Sequence, residues 1–477
     1  MEVKKPNIIL LLSDDQGEWA MGCSGNHEII TPNIDRIARE GIRFKNFFCA
    51  SPVCSPARAT LLTGRIPSQH GVHDWLRDDN KKQEEIEYLK GQTGYTDILS
   101  RNGYVCGLSG KWHLGKSSTA QKGFDYWFAH KSGGGPYYNA PFYEDGKLVN
   151  KEGYATDIIT DKAIDFIKKY AKKQPFYLHV GYTAPHSPWL NNHPKEYTDL
   201  YNDCPFETCQ MDGEHKDSIY LTKEVLKNLK ENQKGYYGAT TAMDYNIGRI
   251  LDLLDELNIR EDTLLVFMSD NGFSCGHHGF WGKGNATFPI NMYESSVKVP
   301  CIISHKGRIP KGRVSSDLVS AYDFMPTLLE YLGMEFESEV DLPGRSFEPV
   351  LRGEELPKDR AVVVMDEYGP NRMIRGERYK FIKRYPYGPH EMYDLLKDPG
   401  EKNNLMEKAT DESTELANKL DYELEKWFLK YVNPEIDGAK EAVYGSGQIN
   451  LAGLWSKGEV SHSCDDYIKE KLKENGK

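Results

Sequence analysis

The chain has 477 residues, of which 39% are hydrophobic and 27% charged, and its formal net charge is −11. This balance is typical of a globular protein with a large core, and it excludes collagen, coiled coil and bulk disorder. Nucleic acid and anionic membrane are disfavoured as main partners, because a negative surface repels both. The longest apolar runs, of which Ile8 to Leu12 is the first, are far shorter than the roughly 20 residues of a membrane-spanning helix.

The nine cysteines are scattered along the chain and form no C-x-x-C pair. Neither a zinc ribbon nor a fully paired set of disulfides is therefore predicted. Residues Met1 to Lys5 lead directly into the apolar run and show no signal-peptide pattern. These features favour a cytoplasmic protein. The alternative is a periplasmic or exported protein whose leader has been removed.

Short buried strands alternate with amphipathic helices over the first 360 residues. The first predicted strand is Asn7 to Leu12, and the polar Ser13, Asp14 and Asp15 end it. Such alternation is typical of a mostly parallel sheet that is covered by helices on both faces. The other predicted strands are 104–108, 176–180, 263–268 and 299–304, and the predicted helices are 34–40, 55–63, 157–170, 238–257 and 322–332.

The pattern changes after residue 360. Three short runs that resemble antiparallel strands precede a helix at 411–431 and indicate a smaller α+β domain. The polar tail that follows is interpreted either as a strap packed on the body or as an oligomer contact. We therefore expect a main α/β domain over 1–360, an α+β subdomain over 361–432 and a tail over 433–477.

Polar residues follow two of the predicted strands at the point where each ends. Asp14 and Asp15 follow the first strand, and Asp270 and Asn271 follow the strand at 263–268. Ligands collect at the carboxyl ends of strands in open α/β sheets. Carboxylate and amide oxygens without a Cys or His cluster suit Ca²⁺, or alternatively Mg²⁺, better than zinc. An aspartate after a strand is also a common turn former, so either pair alone is a weak signal.

Cys54 stands at the start of the second predicted helix. Unpaired backbone N–H groups and the positive end of the helix dipole there suit an oxyanion or a thiolate. Arg58 lies one helical turn further on, so its side chain can fold back beside Cys54. A structural cysteine before a helix is the alternative interpretation of this segment.

Basic side chains follow three of the predicted strands. Lys111 and His113 are two residues apart, so in an extended loop both side chains point the same way. His186 lies in a proline-rich loop after the strand at 176–180, and Lys283 lies in the loop after Asn271. A single Lys or His in such a position is more often a capped or solvated surface residue.

Taken in order, these motifs resemble the formylglycine-dependent sulfatases of the alkaline-phosphatase-like superfamily. Cys54-Ser55-Pro56-Ala57-Arg58 matches the C-x-P-x-R signature of that family, and the likeness extends from about residue 5 to residue 430. The resemblance implies a large mixed, mostly parallel sheet sandwiched by helices and a small C-terminal α+β subdomain with an antiparallel sheet. Further matching segments are 7–15, 31–35, 61–65, 110–115, 269–272, 278–283, 293–300 and 392–399.

The resemblance also implies a modified nucleophile and a metal ion. A formylglycine-generating or radical maturation enzyme would oxidise Cys54 to formylglycine, whose hydrated aldehyde attacks sulfur and later releases the sulfate through a second hydroxyl. The cation, Ca²⁺ or alternatively Mg²⁺, would be held by an oxygen of residue 54 and by Asp14, Asp15, Asp270 and Asn271. The amide of Asn271, where some relatives carry histidine, favours calcium.

The same resemblance assigns the basic residues. Arg58 would hold the formylglycine oxygens, while Lys111 and Lys283 would neutralise charge on the sulfate. His186, alone or with Lys283, would protonate the leaving alcohol, and His113 would act as the base that releases sulfate. The family spacing selects His278, rather than its neighbour His277, as a further residue at or behind the substrate.

Residues 72–77 follow the signature helix and are the predicted substrate loop. A sugar ring could stack on Trp75, while Asp74 and Arg77 bind its hydroxyls or a carboxylate; His73 is included as a further candidate. A surface loop without a binding role is the other interpretation. This composition favours a small sulfated sugar over an aryl or steroid sulfate.

Three other functions stay open beside a carbohydrate sulfatase. The first is an aryl or steroid sulfatase. The second is a phosphonate monoester or phosphodiester hydrolase of the same superfamily, against which Asn271 counts because such enzymes usually need histidine-rich metal ligation. The third is a non-catalytic glycan-binding relative, which the complete set of candidate groups disfavours. A homo-oligomer also stays open.

Overall fold

The structure is a computed structural model that describes residues 5–78, 84–211, 213–366, 371–441, 443 and 445–462. Its strands in chain order are β1 (Asn7–Ser13), β2 (Ile42–Phe48), β3 (Val105–Lys111), β4 (Tyr126–His130), β5 (Tyr138–Glu144), β6 (Lys147–Tyr154), β7 (Phe176–Gly181), β8 (Thr263–Ser269), β9 (Ser274–Cys275), β10 (Trp281–Gly282), β11 (Cys301–Ser304), β12 (Arg313–Ser320), β13 (Val362–Asp366), β14 (Asn371–Arg375), β15 (Tyr379–Arg384) and β16 (Glu391–Asp394).

The helices surround these strands on both sides. They are α1 (Pro32–Arg39), α2 (Cys54–Thr63), α3 (Pro67–His70), α4 (Tyr95–Arg101), α5 (Ala155–Tyr170), α6 (Lys195–Thr198), α7 (Tyr220–Leu226), α8 (Leu229–Glu256), α9 (Glu294–Val297), α10 (Phe324–Tyr331), α11 (Glu348–Leu351) and α12 (Asp411–Tyr431). None of the described helices is long and apolar enough to cross a membrane.

Ten strands form one mixed sheet in the order β12-β2-β11-β8-β1-β7-β3-β4-β5-β6. The central strands β8, β1, β7, β3 and β4 run parallel, while β11, β5 and β6 pair antiparallel with their neighbours. The predicted fold class, a mostly parallel sheet sandwiched by helices with a small antiparallel sheet, is confirmed. All five parallel central strands therefore end at the same edge of the sheet.

The β1 sequence is apolar throughout because both faces of this strand are covered. Ile8, Leu10 and Leu12 contribute to the core on one face, and Ile9 and Leu11 contribute to the core on the other. The helix α8 supplies Met243, Ile247 and Ile250, among others, to the second core. Burial on both faces fixes the register of β1 against its neighbouring strands and therefore the position of the residues that follow it.

A second, antiparallel sheet of the order β13-β14-β15-β16 is covered by α12. After this helix, residues 433–441, 443 and 445–462 pack back on the main body as a strap. The backbone N–H of Asn433 donates to the Ser68 carbonyl, and an isolated bridge joins Leu76 to Gln448. The remainder of the tail, 463–477, lies outside the described residues.

Several elements differ from those predicted. The strand β2 and the hairpin β5–β6 were not predicted, and α8 begins at Leu229 rather than at Gly238. The strand β6 is polar and largely exposed, so its hydrogen bonds to β5 rather than an apolar pattern define it. The eight described cysteines are all free.

Candidate active site

The parallel pairing of β1 with β8 brings two acidic segments together. Ser13 and Ser269 are register partners at the ends of these strands, so Asp14 and Asp15 lie beside Asp270. Carboxylate oxygens of these three residues lie within 4.8 Å of one another, and all three side chains are buried. The sheet thus concentrates three negative charges at one buried point.

Asp15 is held in an unusual backbone conformation at this point. Its φ is +61°, in the left-handed region that residues other than glycine rarely adopt. Its backbone N–H donates to Asp270 Oδ1 at 3.2 Å, and its carbonyl accepts a 2.8 Å hydrogen bond from the Tyr236 hydroxyl on α8. The Asn271 amide donates to Asp15 Oδ1 at 2.8 Å. The chain around Asp15 is therefore fixed from three sides.

Three basic side chains, from three different elements, face the carboxylates. Lys111 Nζ lies 2.5 Å from Asp14 Oδ2, and Arg58 Nε lies 2.8 Å from Asp270 Oδ2. Lys283 Nζ forms an ion pair with an oxygen of Asp15. Each of these side chains is almost completely buried. Buried charges of this kind require close partners, and each carboxylate has one.

These contacts set the pKa values of the carboxylates. Burial raises the pKa of Asp14, and the nearby Asp270 charge raises it further. Burial also disfavours the charged form of Asp270, but the Coulombic effect of Arg58 and Lys111 outweighs it and lowers the pKa of Asp270. Asp14 is therefore the carboxylate with the least compensated charge.

Cys54 begins α2 and faces this cluster. Its Sγ atom lies 3.4 Å from Asp14 Oδ1, and Lys283 Nζ lies 2.9 Å from the sulfur. Burial, followed by the Asp14 charge, raises the pKa of the Cys54 thiol to about 12. The unmodified thiol is therefore protonated at neutral pH and is a weak nucleophile.

The oxygen atoms of this cluster fit a hard divalent cation. Ca²⁺ takes oxygen ligands at about 2.3–2.6 Å, so two ligand atoms on one ion lie no more than about 5 Å apart. Carboxylate oxygens of Asp14, Asp15 and Asp270 meet this condition, since all lie within 4.8 Å of one another. The Lys283 ammonium already contacts Asp15, and it lies 3.4 Å from Asn271 Oδ1. A positive charge is thus accommodated among these same ligands.

Two histidines stand next to the cluster. His186 Nε2 lies 3.7 Å from Asp15 Oδ2, and its side chain is 23% exposed. His113 Nε2 donates to the Leu76 carbonyl at 2.9 Å, which leaves Nδ1 without a proton and without a hydrogen-bond partner among the described residues. Burial, followed by the Lys111 charge, lowers the pKa of His113 well below its usual value. His113 is therefore a neutral imidazole with an available acceptor nitrogen.

A cavity of about 540 Å³ leads to this point. Cys54, His113, His186 and Lys283 contribute to its wall, so the sequence-predicted nucleophile and three of the basic residues open into one space. Sequence reasoning missed other lining residues, of which the glycine run 133–135 is visible in the sequence as an unusual pattern. Trp75 of the predicted substrate loop also lines the cavity, and the lining residues that the sequence did not single out include Asp78, Ser132, Pro136, Ser187 and Asn285.

The strap fixes the cavity wall that contains Trp75. The Gln448 backbone pairs with this wall, its N–H donating to the Trp75 carbonyl at 2.8 Å and its carbonyl accepting from the Arg77 N–H at 3.0 Å. The Gln448 side-chain oxygen accepts from the His73 N–H at 2.8 Å. The Trp75 indole N–H also donates to the Gly445 carbonyl. One wall of the active site therefore depends on the end of the chain.

Three predictions for the substrate loop need correction. His73 is fully buried beneath the strap, with its ring 6.1 Å from that of His462, and it does not line the cavity. The Asp74 carboxylate accepts from the Trp75 and Gly447 N–H groups, so it holds the strap rather than a ligand. Arg77 lines a neighbouring cavity of about 30 Å³ instead. Trp75 is thus the predicted loop residue that reaches the main cavity.

His278 is the fourth residue of the predicted substrate set that the structure places elsewhere. Its ring stacks on Tyr293 with a centroid distance of 3.8 Å, and its Nε2 lies 3.9 Å from Glu401. Neither His278 nor Tyr293 lines the cavity at Cys54. His278 therefore packs between Tyr293 and Glu401 rather than facing Cys54.

Comparison with known proteins decides the family. A family model described as Sulfatase matches residues 6–334. The chain belongs to the sulfatase family. A second model, described as the C-terminal part of N-sulphoglucosamine sulphohydrolase, matches residues 276–429. Because sulfatases hydrolyse sulfate esters, the protein is a sulfuric ester hydrolase, and this prediction is confirmed.

Relatives cover most of this sulfatase. It is 32% identical to the N-acetylglucosamine-6-O-sulfatase of Bacteroides thetaiotaomicron, over 86% of this chain and 84% of the relative. It is 29% identical to an arylsulfatase of Clostridium perfringens, over 94% and 98% of the two chains. A solved structure of a protein in complex with its substrate D-glucosamine-2-N,6-O-disulfate is 29% identical, with a TM-score of 0.78 over 92% of this chain and 100% of that one.

The buried His73 generates a prediction about acid stability. Burial, followed by the His462 charge, lowers the pKa of His73 to about 3. Between pH 6.5 and 3 the unfolded chain takes up a proton at this residue and the folded chain does not, so stability falls as the pH falls. At pH 5 we expect His73 to lower the free energy of unfolding by about 2 kcal/mol relative to neutral pH.

The measurement is the free energy of unfolding at pH 7 and pH 5 for the parent and for His73→Gln. The variant should lose about 2 kcal/mol less between the two pH values than the parent does. His27→Gln is the control, because His27 is exposed, and it should keep the parental difference. Equal pH dependence in the parent and His73→Gln would contradict the prediction.

Proposed function

We propose that the protein hydrolyses a sulfate ester on a sugar, with formylglycine made from Cys54 as the nucleophile and with a hard divalent cation beside it. The observation that carries the proposal is the position of Cys54. Its sulfur lies between Asp14 and Lys283, Cys54 begins a helix, and the residue lines the cavity of about 540 Å³. A nucleophile at this position meets both the metal ligands and the substrate.

The unmodified cysteine is poorly suited to this role. Its thiol has a pKa raised to about 12 by burial and by Asp14, so little thiolate is present at neutral pH. Formylglycine supplies, as its hydrate, one hydroxyl to attack sulfur and a second to release sulfate. The maturation enzyme that converts Cys54 is therefore an expected partner of the newly made chain.

Asp14, Asp15, Asp270 and Asn271 would hold the cation. Their oxygen donors favour Ca²⁺, with Mg²⁺ as the alternative. When bound, the cation lowers the pKa of a neighbouring hydroxyl and attracts a sulfate oxygen. The three carboxylates and the three basic side chains balance in charge. A bound divalent cation would therefore give the site a net positive charge, which suits an anionic ester.

The basic residues of the site would take the remaining catalytic roles. Lys111 and Lys283, at the edge of the carboxylate cluster, would neutralise charge that develops on the sulfate. Arg58 would orient the oxygens of residue 54 while it remains paired with Asp270. His186 would donate a proton to the leaving alcohol, and the neutral His113 would accept a proton through Nδ1 during sulfate release.

A sugar is the favoured substrate because of both the cavity and the relatives. Trp75 forms part of the wall, and an indole face stacks well on a pyranose ring. Asp78 and Asn285 supply polar groups in the same cavity. The N-acetylglucosamine-6-O-sulfatase and the glucosamine disulfate complex among its relatives support the same class. The arylsulfatase relative makes an aryl sulfate the second candidate.

The identity of the nucleophile is tested by mass spectrometry and activity together. In protein co-produced with a maturation enzyme, we expect the Cys54 peptide to have the mass of an aldehyde in place of the thiol. Cys54→Ala should reduce turnover of sulfated monosaccharides by about 10³-fold or more. Cys301→Ala removes a fully buried cysteine of the core and should stay active.

The substrate class is tested by assaying sulfate and phosphate esters of one sugar alcohol and an aryl sulfate in parallel. The sugar sulfate should have the highest kcat/KM. An active enzyme whose residue 54 remains a thiol, or a preference for the phosphate ester, would contradict the proposal. A parent that binds sulfated sugars without any turnover would instead indicate a non-catalytic relative.

The assigned role of His186 predicts a dependence on the leaving group. Sugar alkoxides are poor leaving groups and need a proton donor, whereas activated phenolates do not. His186→Ala should therefore reduce kcat for a sugar sulfate by about 10²- to 10⁴-fold and change that for a nitroaryl sulfate far less. His27→Ala is the control for a surface histidine. Equal losses on both substrates would show that His186 is not the donor.

A further inference from the structure

Three consecutive glycines, Gly133, Gly134 and Gly135, line the cavity at Cys54. None of them has a φ in the left-handed region that favours glycine, so a positive φ does not explain the glycines at these positions. Their side-chain positions are only half-buried. The reason for glycine here must therefore be the space that a Cβ atom would occupy.

That space is filled by the two active-site histidines. A Cβ atom at Gly133 would lie 2.2 Å from Cε1 and 2.3 Å from Nε2 of His113. A Cβ atom at Gly134 would lie 2.8 Å from Cε1 and 3.0 Å from Nδ1 of His186. Carbon atoms in van der Waals contact lie about 3.5–4.0 Å apart. The loop backbone at these two glycines therefore lies in close contact with both imidazole rings.

The loop is fastened at both ends, so it cannot easily retreat from a new side chain. At one end, His130 Nδ1 lies 3.2 Å from the backbone N and 2.9 Å from the carbonyl oxygen of Ser132. At the other end, the Tyr137 hydroxyl contacts the carbonyl oxygens of Thr183, at 3.2 Å, and of His186, at 2.8 Å. The contact with the His186 carbonyl oxygen joins the loop to the residue whose ring lies against Gly134.

We propose that Gly133 and Gly134 are positioning residues that hold His113 and His186 at their working distances from residue 54. The absence of a side chain lets the loop backbone serve as the wall against which each ring rests. The inference rests on the proposed function, because that function gives the two histidines different steps. His186 serves the leaving alcohol, whereas His113 serves sulfate release, which is common to every substrate.

The two glycines should therefore give different kinetic signatures. Gly134→Ala displaces His186 and should reduce kcat for a sugar sulfate about 10- to 100-fold more than for a nitroaryl sulfate. Gly133→Ala displaces His113 and should reduce the rate of sulfate release by the same factor for both substrates. The matched control is Gly376→Ala in the turn between β14 and β15, whose Cβ would meet, among the described residues, only the Tyr379 carbonyl oxygen at 3.7 Å. It should keep parental kinetics.

A double-mutant cycle separates positioning from general destabilisation. His186→Ala removes the ring that a Cβ at position 134 would strike. Adding Gly134→Ala to that variant should therefore leave its kcat and its thermal midpoint almost unchanged. Equal losses of Gly134→Ala on both substrates, or an undiminished loss in the His186→Ala background, would overturn the inference. If the parent hydrolyses no sulfate ester, the proposed function fails, and the thermal cycle alone decides the steric claim.

Discussion

The site depends on the parallel pairing of β1 with β8. This register places Asp14 and Asp15 against Asp270 at one edge of the sheet, and both faces of the strands are buried. Three carboxylates within 4.8 Å of one another repel strongly where water is excluded. The cluster can exist only because positive charge from elsewhere offsets it, and that need determines the rest of the site.

The offsetting charge comes from elements that are far apart in sequence. Arg58 projects from α2, Lys111 ends β3, and Lys283 follows β10, so the main sheet must assemble before the charges balance. Removing one partner of a buried pair typically costs about 3–5 kcal/mol because the other charge is left alone. Burial, followed by the negative charge of Asp14, raises the pKa of the Cys54 thiol and keeps it protonated. Charge balance thus links folding of the sheet to the chemistry at its edge.

Local sequence patterns predicted the strands before Asp14 and Asp270 and the helix that begins near Cys54, because short buried strands and helix starts have local signals. The predicted loop position of Lys111 is wrong, since β3 continues to this residue. Contacts between distant segments had no such signal. His73 and Asp74 look like pocket residues, but Gln448 and Gly447 of the strap cover them. The glycine run at 133–135 was visible, yet its meaning depends on rings that only the folded chain brings beside it.

The most direct test of the account is calcium titration calorimetry on the metal-depleted protein. We predict one tight site per chain in the parent and in Asp252→Asn, which alters an exposed carboxylate. Asp14→Asn and Asp270→Asn should weaken binding at least about tenfold, because each removes a charged oxygen ligand from the cluster. Calcium binding of parental strength in both of these variants, or none in the parent, would contradict the claim that these carboxylates form a cation site.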